Sequence, residues 1–304
     1  MTSGKVRLPR LFILVLTAGL ALTGCSKEPD PVGRLGTGAG EIRLGYPQVV
    51  ELELSWEMKR PLEGLAGPVR VFVHLLDSRG DIVRTFDHDL PGAWKIGGEL
   101  AYKVPIYQSA LAPALEEGRY KLTCGLYDRE GNRWPLENAG AEIGEAEYEI
   151  ATVSVVESGP KMPQFFFSSS WLPVEGGSDL QILARRWLTQ NDVIRLGGLT
   201  GPGKLWLNVG VPEGGGELLA PTMAEGAVEQ SVSITTTCGD AAVQISGPGS
   251  HAIELPIALP ALAEGEEERP SECEVSFTAN YYLMSREGDQ SRTIALEGLS
   301  WSSD

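Results

Sequence analysis

Val50, Leu52, Leu54 and Trp56 alternate residue by residue with Glu51, Glu53, Ser55 and Glu57. Side chains of an extended chain point to opposite faces with period two, so this run is the signature of a strand with one buried and one wet face. Further runs of this kind follow at Val69 to Leu76, Asp81 to Phe86, Tyr102 to Ile106, Arg119 to Tyr127 and Glu147 to Val156. Turn signals separate them at Asp77-Ser-Arg-Gly80, Leu90-Pro-Gly92, Glu117-Gly118 and Asp128-Arg-Glu-Gly-Asn132. Short strands punctuated at this spacing describe a β-sandwich.

Ser158-Gly-Pro-Lys-Met-Pro163 reads as an interdomain linker, after which strand patterns resume. They cover Gln181 to Leu183, Asp192 to Leu196, Lys204 to Val211, Val228 to Cys238, Ala241 to Ser246, His251 to Leu259, Cys273 to Tyr282 and Arg292 to Trp301. In the last of these Leu299 and Trp301 have the opposite parity to Ile294 and Leu296, which predicts a β-bulge at Gly298. No long amphipathic helix is legible. The 304 residues suit two domains. The expected fold is all-β: two tandem antiparallel β-sandwiches, immunoglobulin-like or jelly-roll-like, spanning residues 42–157 and 165–304 with a linker at 158–164.

The N-terminus carries a different message. Lys5, Arg7 and Arg10 precede an apolar run from Leu11 to Leu22, and Leu22-Thr23-Gly24-Cys25 follows at once. The run is shorter than the ~20 residues that cross a bilayer, so residues 1–24 read as a removable secretory signal. The segment resembles the bacterial lipoprotein signal peptide, with Leu22, Thr23, Gly24 and Cys25 matching its lipobox. That resemblance implies a Cys25 acylated as the first mature residue and a membrane partner held through lipid. Ser26, which is not an aspartate, implies the outer membrane in a cell with two membranes. Residues 25–41 are expected to form the lipidated cysteine and a flexible tether, KEPDPVGRLGTGAG having almost no apolar content. Aspartate and glutamate outnumber lysine and arginine 41 to 25, and loss of the three basic signal residues takes the formal charge from -16 to -19. Such acidity argues against nucleic acid as a partner.

Three cysteines remain in the mature chain. Cys238 continues the set Val232, Ile234, Thr236 and Cys273 begins the set Cys273, Val275, Phe277, both on the side their strands bury. A Cys238–Cys273 disulfide is therefore expected in an oxidising compartment, worth ~3 to 4 kcal/mol in the chain-entropy model, with Cys124 left as a buried thiol.

Candidate chemistry is sparse. His74 lies on the strand face opposite Val71, Val73 and Leu75, and His88 stands between Asp87 and Asp89 just before a turn. These are candidates for a metal or acid/base site, but no HExxH or similar spacing exists, and turn capping with strand packing is the expected role. Gly198-Leu-Thr-Gly-Pro-Gly203-Lys204 fits GxxxxGK but is followed by Leu205 and a strand instead of a serine or threonine and a helix, so it reads as a hairpin. The serines next to glycine lack GxSxG, and the acidic run Ala261 to Arg269 reads as a solvated loop. No catalytic residue and no cofactor is assigned. Among the tryptophans, Trp206 opposes the Leu205 and Leu207 row and is the best exposed candidate for stacking on a sugar, with Arg185-Arg186-Trp187 offering a guanidinium beside a ring.

Val71-Phe-Val-His-Leu-Leu-Asp77, Gly80, Asp87-His88, Pro91, Trp94, Gly118-Arg-Tyr-Lys-Leu, Gly125-Leu-Tyr-Asp128, Gly131, Arg133 and Pro135-Leu136 resemble a β-sandwich domain of bacterial exported proteins and of the extracytoplasmic ends of some membrane glycosyltransferases. The second half, with Trp171-Leu-Pro173, Arg186-Trp187 and Leu299-Ser-Trp301, resembles the sandwich that often follows it. The resemblance implies a cell-envelope and glycan context and no reaction. The expectation is an anchored, non-catalytic binding or assembly module for a polysaccharide or an envelope protein. The alternative is an exported hydrolase or metal-dependent enzyme with a loop-built site near His74 and His88.

Overall fold

The computed structural model describes residues 30–38, 40–137, 139–157, 163–175, 184–212, 218–219, 230–259, 272–284 and 291–303. Every regular element among them is a strand. The first twelve are β1 (Gly33–Thr37), β2 (Glu41–Leu44), β3 (Val49–Met58), β4 (Arg70–Leu76), β5 (Ile82–Thr85), β6 (His88–Asp89), β7 (Glu99–Tyr107), β8 (Gly118–Tyr127), β9 (Arg133–Trp134), β10 (Leu136–Glu137), β11 (Ala141–Gly144) and β12 (Glu147–Val155). They form two facing sheets, ordered β10-β1-β3-β7 and β11-β12-β8-β4-β5, with β2 beside β12, β6 beside β4 and β9 beside β8. Leu52, Leu54, Trp56, Val71, Val73, Leu75, Leu122 and Leu126 meet between the sheets at 2% exposure or less. The glutamates of β3 lie on the outside, as period two requires.

The second set is β13 (Gln164–Phe167), β14 (Arg186–Trp187), β15 (Asp192–Gly197), β16 (Gly203–Val211), β17 (Leu218–Leu219), β18 (Ser231–Thr236), β19 (Ala242–Ser246), β20 (Gly249–Ile257), β21 (Cys273–Ala279), β22 (Tyr282–Met284), β23 (Ser291–Arg292) and β24 (Ala295–Ser303). Two sheets, β13-β15-β21-β18-β19 and β14-β24-β16-β20, enclose a second core, and β17-β22-β23 form a small third sheet. The chain is therefore all-β, with two β-sandwiches. Cys238 and Cys273 are joined in a disulfide inside the second core, and Cys124 is a buried free thiol in the first. The bulge in β24 is present: Asn208 faces Gly298 while Val209 faces Leu296, leaving Glu297 as the extra residue. That extra residue puts Leu296 and Leu299 both into the core, at 0% exposure each.

Several expectations need correction. The tether does not run to residue 41, because Gly33–Thr37 is a strand paired with β3 and Leu35 is 1% exposed. Gly33, one of the glycines that suggested flexibility, serves close packing: a Cβ there would sit 2.5 Å from the Glu57 carbonyl oxygen and 3.0 Å from the Trp94 ring. The sheets are not purely antiparallel either, since β1 pairs with β10 and β2 with β12 in parallel. Cys25, residues 158–162 of the linker, the Gln181 to Leu183 strand and the acidic Ala261 to Arg269 loop lie outside the described residues.

The sandwiches are joined by more than a linker. The loop after β7 enters the second core with Leu111 and Ala112, 7% and 5% exposed. The Ala110 amide donates to the Leu299 carbonyl at 2.6 Å, the Leu299 amide to Ser109 Oγ at 3.3 Å, Ser300 Oγ to the Gln108 carbonyl at 3.1 Å and the Trp301 amide to the Pro47 carbonyl at 3.1 Å. Arg84, nearly fully buried, steadies the same loop by donating to the Pro113 carbonyl at 2.6 Å. Gly298 has no room for a Cβ against the Tyr107 hydroxyl. Burial, with the Glu297 carboxylate adding to it, pushes the Tyr107 phenol up to about 12.

Candidate functional site

The group Asp87-His88-Asp89 does not act together. His88 turns toward the first core, where Nδ1 lies 2.9 Å from the Phe86 carbonyl and Nε2 2.8 Å from the Tyr102 hydroxyl. A carbonyl only accepts, so Nδ1 carries the proton and Nε2 accepts from the phenol. Burial holds the His88 pKa below its ordinary value against the pull of the Phe86 carbonyl and the flanking aspartates. Asp89 instead pairs with Arg70 at 3.2 Å. The reason is the period-two backbone of β6, which sends neighbouring side chains to opposite sides.

Asp87 finds the other histidine. His74 Nε2 lies 3.3 Å from Asp87 Oδ1, and Nδ1 lies 3.8 Å from Glu147 Oε1 on β12. Thr123 Oγ1 donates to Glu147 Oε1 at 2.7 Å, Arg133 Nη1 stands 3.5 Å from Oε2, and the Tyr127 hydroxyl donates to Asp87 Oδ2 at 3.2 Å. Burial and the Asp87 carboxylate push the Tyr127 phenol up to about 12. Phe72 stacks on His74 with centroids 4.9 Å apart, and the Arg133 guanidinium lies 4.6 Å from the Phe72 centroid on the same ring. Gly125 makes this roof fit, because a Cβ there would collide with Phe72 and with the Ala146 carbonyl. The outer face of β4 is thus a second covered layer, with His74 8% and Thr123 0% exposed.

Chemically this network sets one imidazole between two carboxylates, close to Asp87 and farther from Glu147, and buries the Thr123 hydroxyl. Among the described residues no group of three or more histidines, cysteines, aspartates or glutamates could hold a metal ion. Glu147 borders a hollow of about 410 Å³ whose rim includes Arg79, Ile82, Lys121 and Ile143.

A second cluster gathers at β14. The Trp187 ring has the Arg185 guanidinium 5.3 Å and the Arg292 guanidinium 4.9 Å from its centroid. Glu175 holds all three: Trp187 Nε1 donates to Oε2 at 2.9 Å, Arg292 Nη2 to Oε1 at 3.1 Å, and Arg185 Nε lies 3.6 Å from Oε2. Arg186 lies over the Phe167 ring at 4.2 Å, and desolvation there lowers its pKa. Phe167 in turn meets Trp171 edge-on at 5.7 Å. Among the described residues of this cluster three guanidiniums stand against one carboxylate, with Arg185 about half exposed. Sequence proximity revealed Arg185, Arg186 and Trp187. Glu175 and Arg292 join only through the isolated pairing of Glu175 with Arg185 and the turn of the chain into β24.

Trp206 does not belong to this cluster. It faces Glu254 and Ser300 across the sheet, whereas Trp187 faces Ala295. It is half-buried, and its indole N–H is sealed from solvent with no hydrogen-bond partner among the described residues. Parity correctly puts Trp206 opposite the core row, but that side of β24 is occupied by the junction, where Ser300 is fully buried against Gln108.

No protein-family model and no curated protein matches the chain. Among solved structures it is similar to pT26-6p, at 9% identity and a TM-score of 0.22, over 88% of this chain and 65% of that one. It is also similar to a Bacteroides Uniformis beta-glucuronidase, at 9% identity and 0.22, over 90% of this chain and 30% of that one. The chain spans less than two thirds of either, and overlays this loose do not separate one β-rich architecture from another.

Proposed function

We propose that the protein is a lipid-anchored lipoprotein of the cell envelope that acts as a non-catalytic binding module for an acidic polysaccharide. It is held through acylated Cys25, at the outer membrane where the cell has one. The observation that carries the ligand is the Arg185–Trp187–Arg292 stack on Glu175. Guanidiniums held on a ring and only partly used by Glu175 offer paired donors for the carboxylates of an acidic sugar. The formal charge of -19 after loss of the signal would repel a polyanion elsewhere, which confines binding to this edge. Calorimetric titration with polygalacturonate is expected to give salt-sensitive binding that neutral dextran does not, weakened roughly tenfold or more by Arg292→Ala. Equal binding to both polymers refutes the preference for an acidic glycan, and binding to neither with the fold intact refutes the glycan reading and moves the module to a protein partner.

A second reading, an exported hydrolase, draws on Glu147 lying both beside His74 and at the rim of the nearby hollow. Turnover of an ester or glycoside panel that disappears in His74→Ala and Glu147→Gln would establish it. Unchanged turnover in both variants removes it.

A further inference from the structure

The end of the first sandwich where the chain enters the fold carries an apolar patch that is exposed among the described residues. Ile96 is 65% and Leu65 40% exposed, and with Pro61, Leu62, Trp94 and Lys95 they line a shallow groove of about 410 Å³. The patch is held in place. Trp94 uses its only donor on the Arg60 carbonyl at 2.7 Å and meets Trp56 edge-on at 6.4 Å, leaving its ring half exposed. Asp128 accepts the Ala66 amide at 2.9 Å, and the Trp134 indole donates to the Glu63 carbonyl at 3.2 Å, fixing the loop that presents Leu65.

The entering chain runs directly beside it. The Val32 carbonyl accepts the Lys59 and Arg60 amides at 2.9 and 2.8 Å, and Gly33 packs against the Trp94 ring. Six residue steps separate Cys25 from Pro31, a contour of at most roughly 20 Å. An acyl group on Cys25 therefore confines this end of the sandwich to the membrane surface. The opposite end, marked by Pro47 and the Gln108 loop, carries the second sandwich.

We propose that the Leu65–Trp94–Ile96 patch docks into the interface of the bilayer that holds the lipid anchor. The first sandwich then stands on its loops and the second projects away from the membrane. The inference rests on the lipid-anchor reading of Cys25. Apolar side chains around a tryptophan with a lysine at the rim match the chemistry of the headgroup boundary. The charge of the protein as a whole would push it off an anionic surface, so burial of the patch and not electrostatic attraction has to hold it down.

The test uses the full-length protein purified from membranes and reconstituted in vesicles of phosphatidylethanolamine and phosphatidylglycerol with brominated acyl chains. An environment-sensitive fluorophore is placed at Ile96→Cys or, at the far end of the same sandwich, at the exposed Ser78→Cys. Both sites are solvent-exposed, so neither substitution endangers the fold. Docking gives a blue-shifted emission and several-fold stronger quenching at 96 than at 78. Equal, water-like emission at both sites, with acylated Cys25 verified by mass spectrometry, overturns docking and leaves the anchor standing. A probe at 96 that is blue-shifted in the vesicles but not quenched by the brominated chains means that another protein copy covers the patch, and also overturns it. An unmodified Cys25 overturns the anchor and docking together.

Discussion

Leu111 belongs by sequence to the first sandwich and by contact to the second core, and truncating it tests whether the two sandwiches are one cooperative body. The residue is 7% exposed and packs in the cluster that includes Leu207, Leu299 and Trp301. Leu111→Ala removes three buried carbons and leaves a void that the flanking Ala110–Leu299 and Ser109–Leu299 hydrogen bonds keep from collapsing. Buried leucine truncations cost about 2–5 kcal/mol, and the position at the rim of the core argues for roughly 2–3. At about 2–4 °C per kcal/mol in a body of this size, the transition should fall by roughly 5–10 °C. Calorimetry measures the shift, and hydrogen exchange locates it, comparing amides of Leu207 and Val209 in the second sandwich with Leu122 in the first. Faster exchange at Leu207 and Val209 is the expected result. Wild-type exchange there, with loss confined to the first sandwich, would refute the idea that the Gln108–Leu115 loop is a structural part of the second core.

Replacing Cys238 and Cys273 together by serine opens a constraint 35 residues apart and should cost about 4 kcal/mol, read from denaturant midpoints with and without reductant. Gly125→Ala should destabilise by about 1–3 kcal/mol, because the new methyl meets Phe72 and the Ala146 carbonyl; an unchanged melting temperature would show that the roof over His74 is loose. Burial lowers the His88 pKa below 6.5 in the folded state, so the unfolded chain takes up a proton that the fold refuses. Stability should therefore fall as pH drops through about 6.5 and stop falling once the lower folded value is passed. In His88→Gln that component is absent, which denaturant unfolding at about pH 7.5 and pH 5.5 will reveal as a flatter profile.

How much was legible varies by residue. Leu52, Leu54 and Trp56 announce their burial because period two is a property of a single strand. The Cys238–Cys273 pair followed from parity on two strands that both face one core. The β24 bulge showed itself as a parity break between Leu296 and Leu299. The charged cluster was half legible: Arg185, Arg186 and Trp187 are neighbours in sequence, while Glu175 and Arg292 arrive from distant segments. His74 with Asp87 was visible as proximity, but its second carboxylate, Glu147, comes from a strand 73 positions later, brought alongside by β8.

The amino-acid sequence by itself determined that the chain is all strand, where its turns fall, which faces are apolar and which cysteines pair, because each depends on alternation along one stretch of backbone. Only the tertiary structure decided what lies against each face. It covers the outer side of β4 with Arg133 and Glu147, half-buries Trp206 beside the sandwich junction, sends Leu111 into the neighbouring core and sets Trp94 beside the entering chain. The physical reason is that period two tells a strand it has two sides but carries no information about which distant segment will cover the second one.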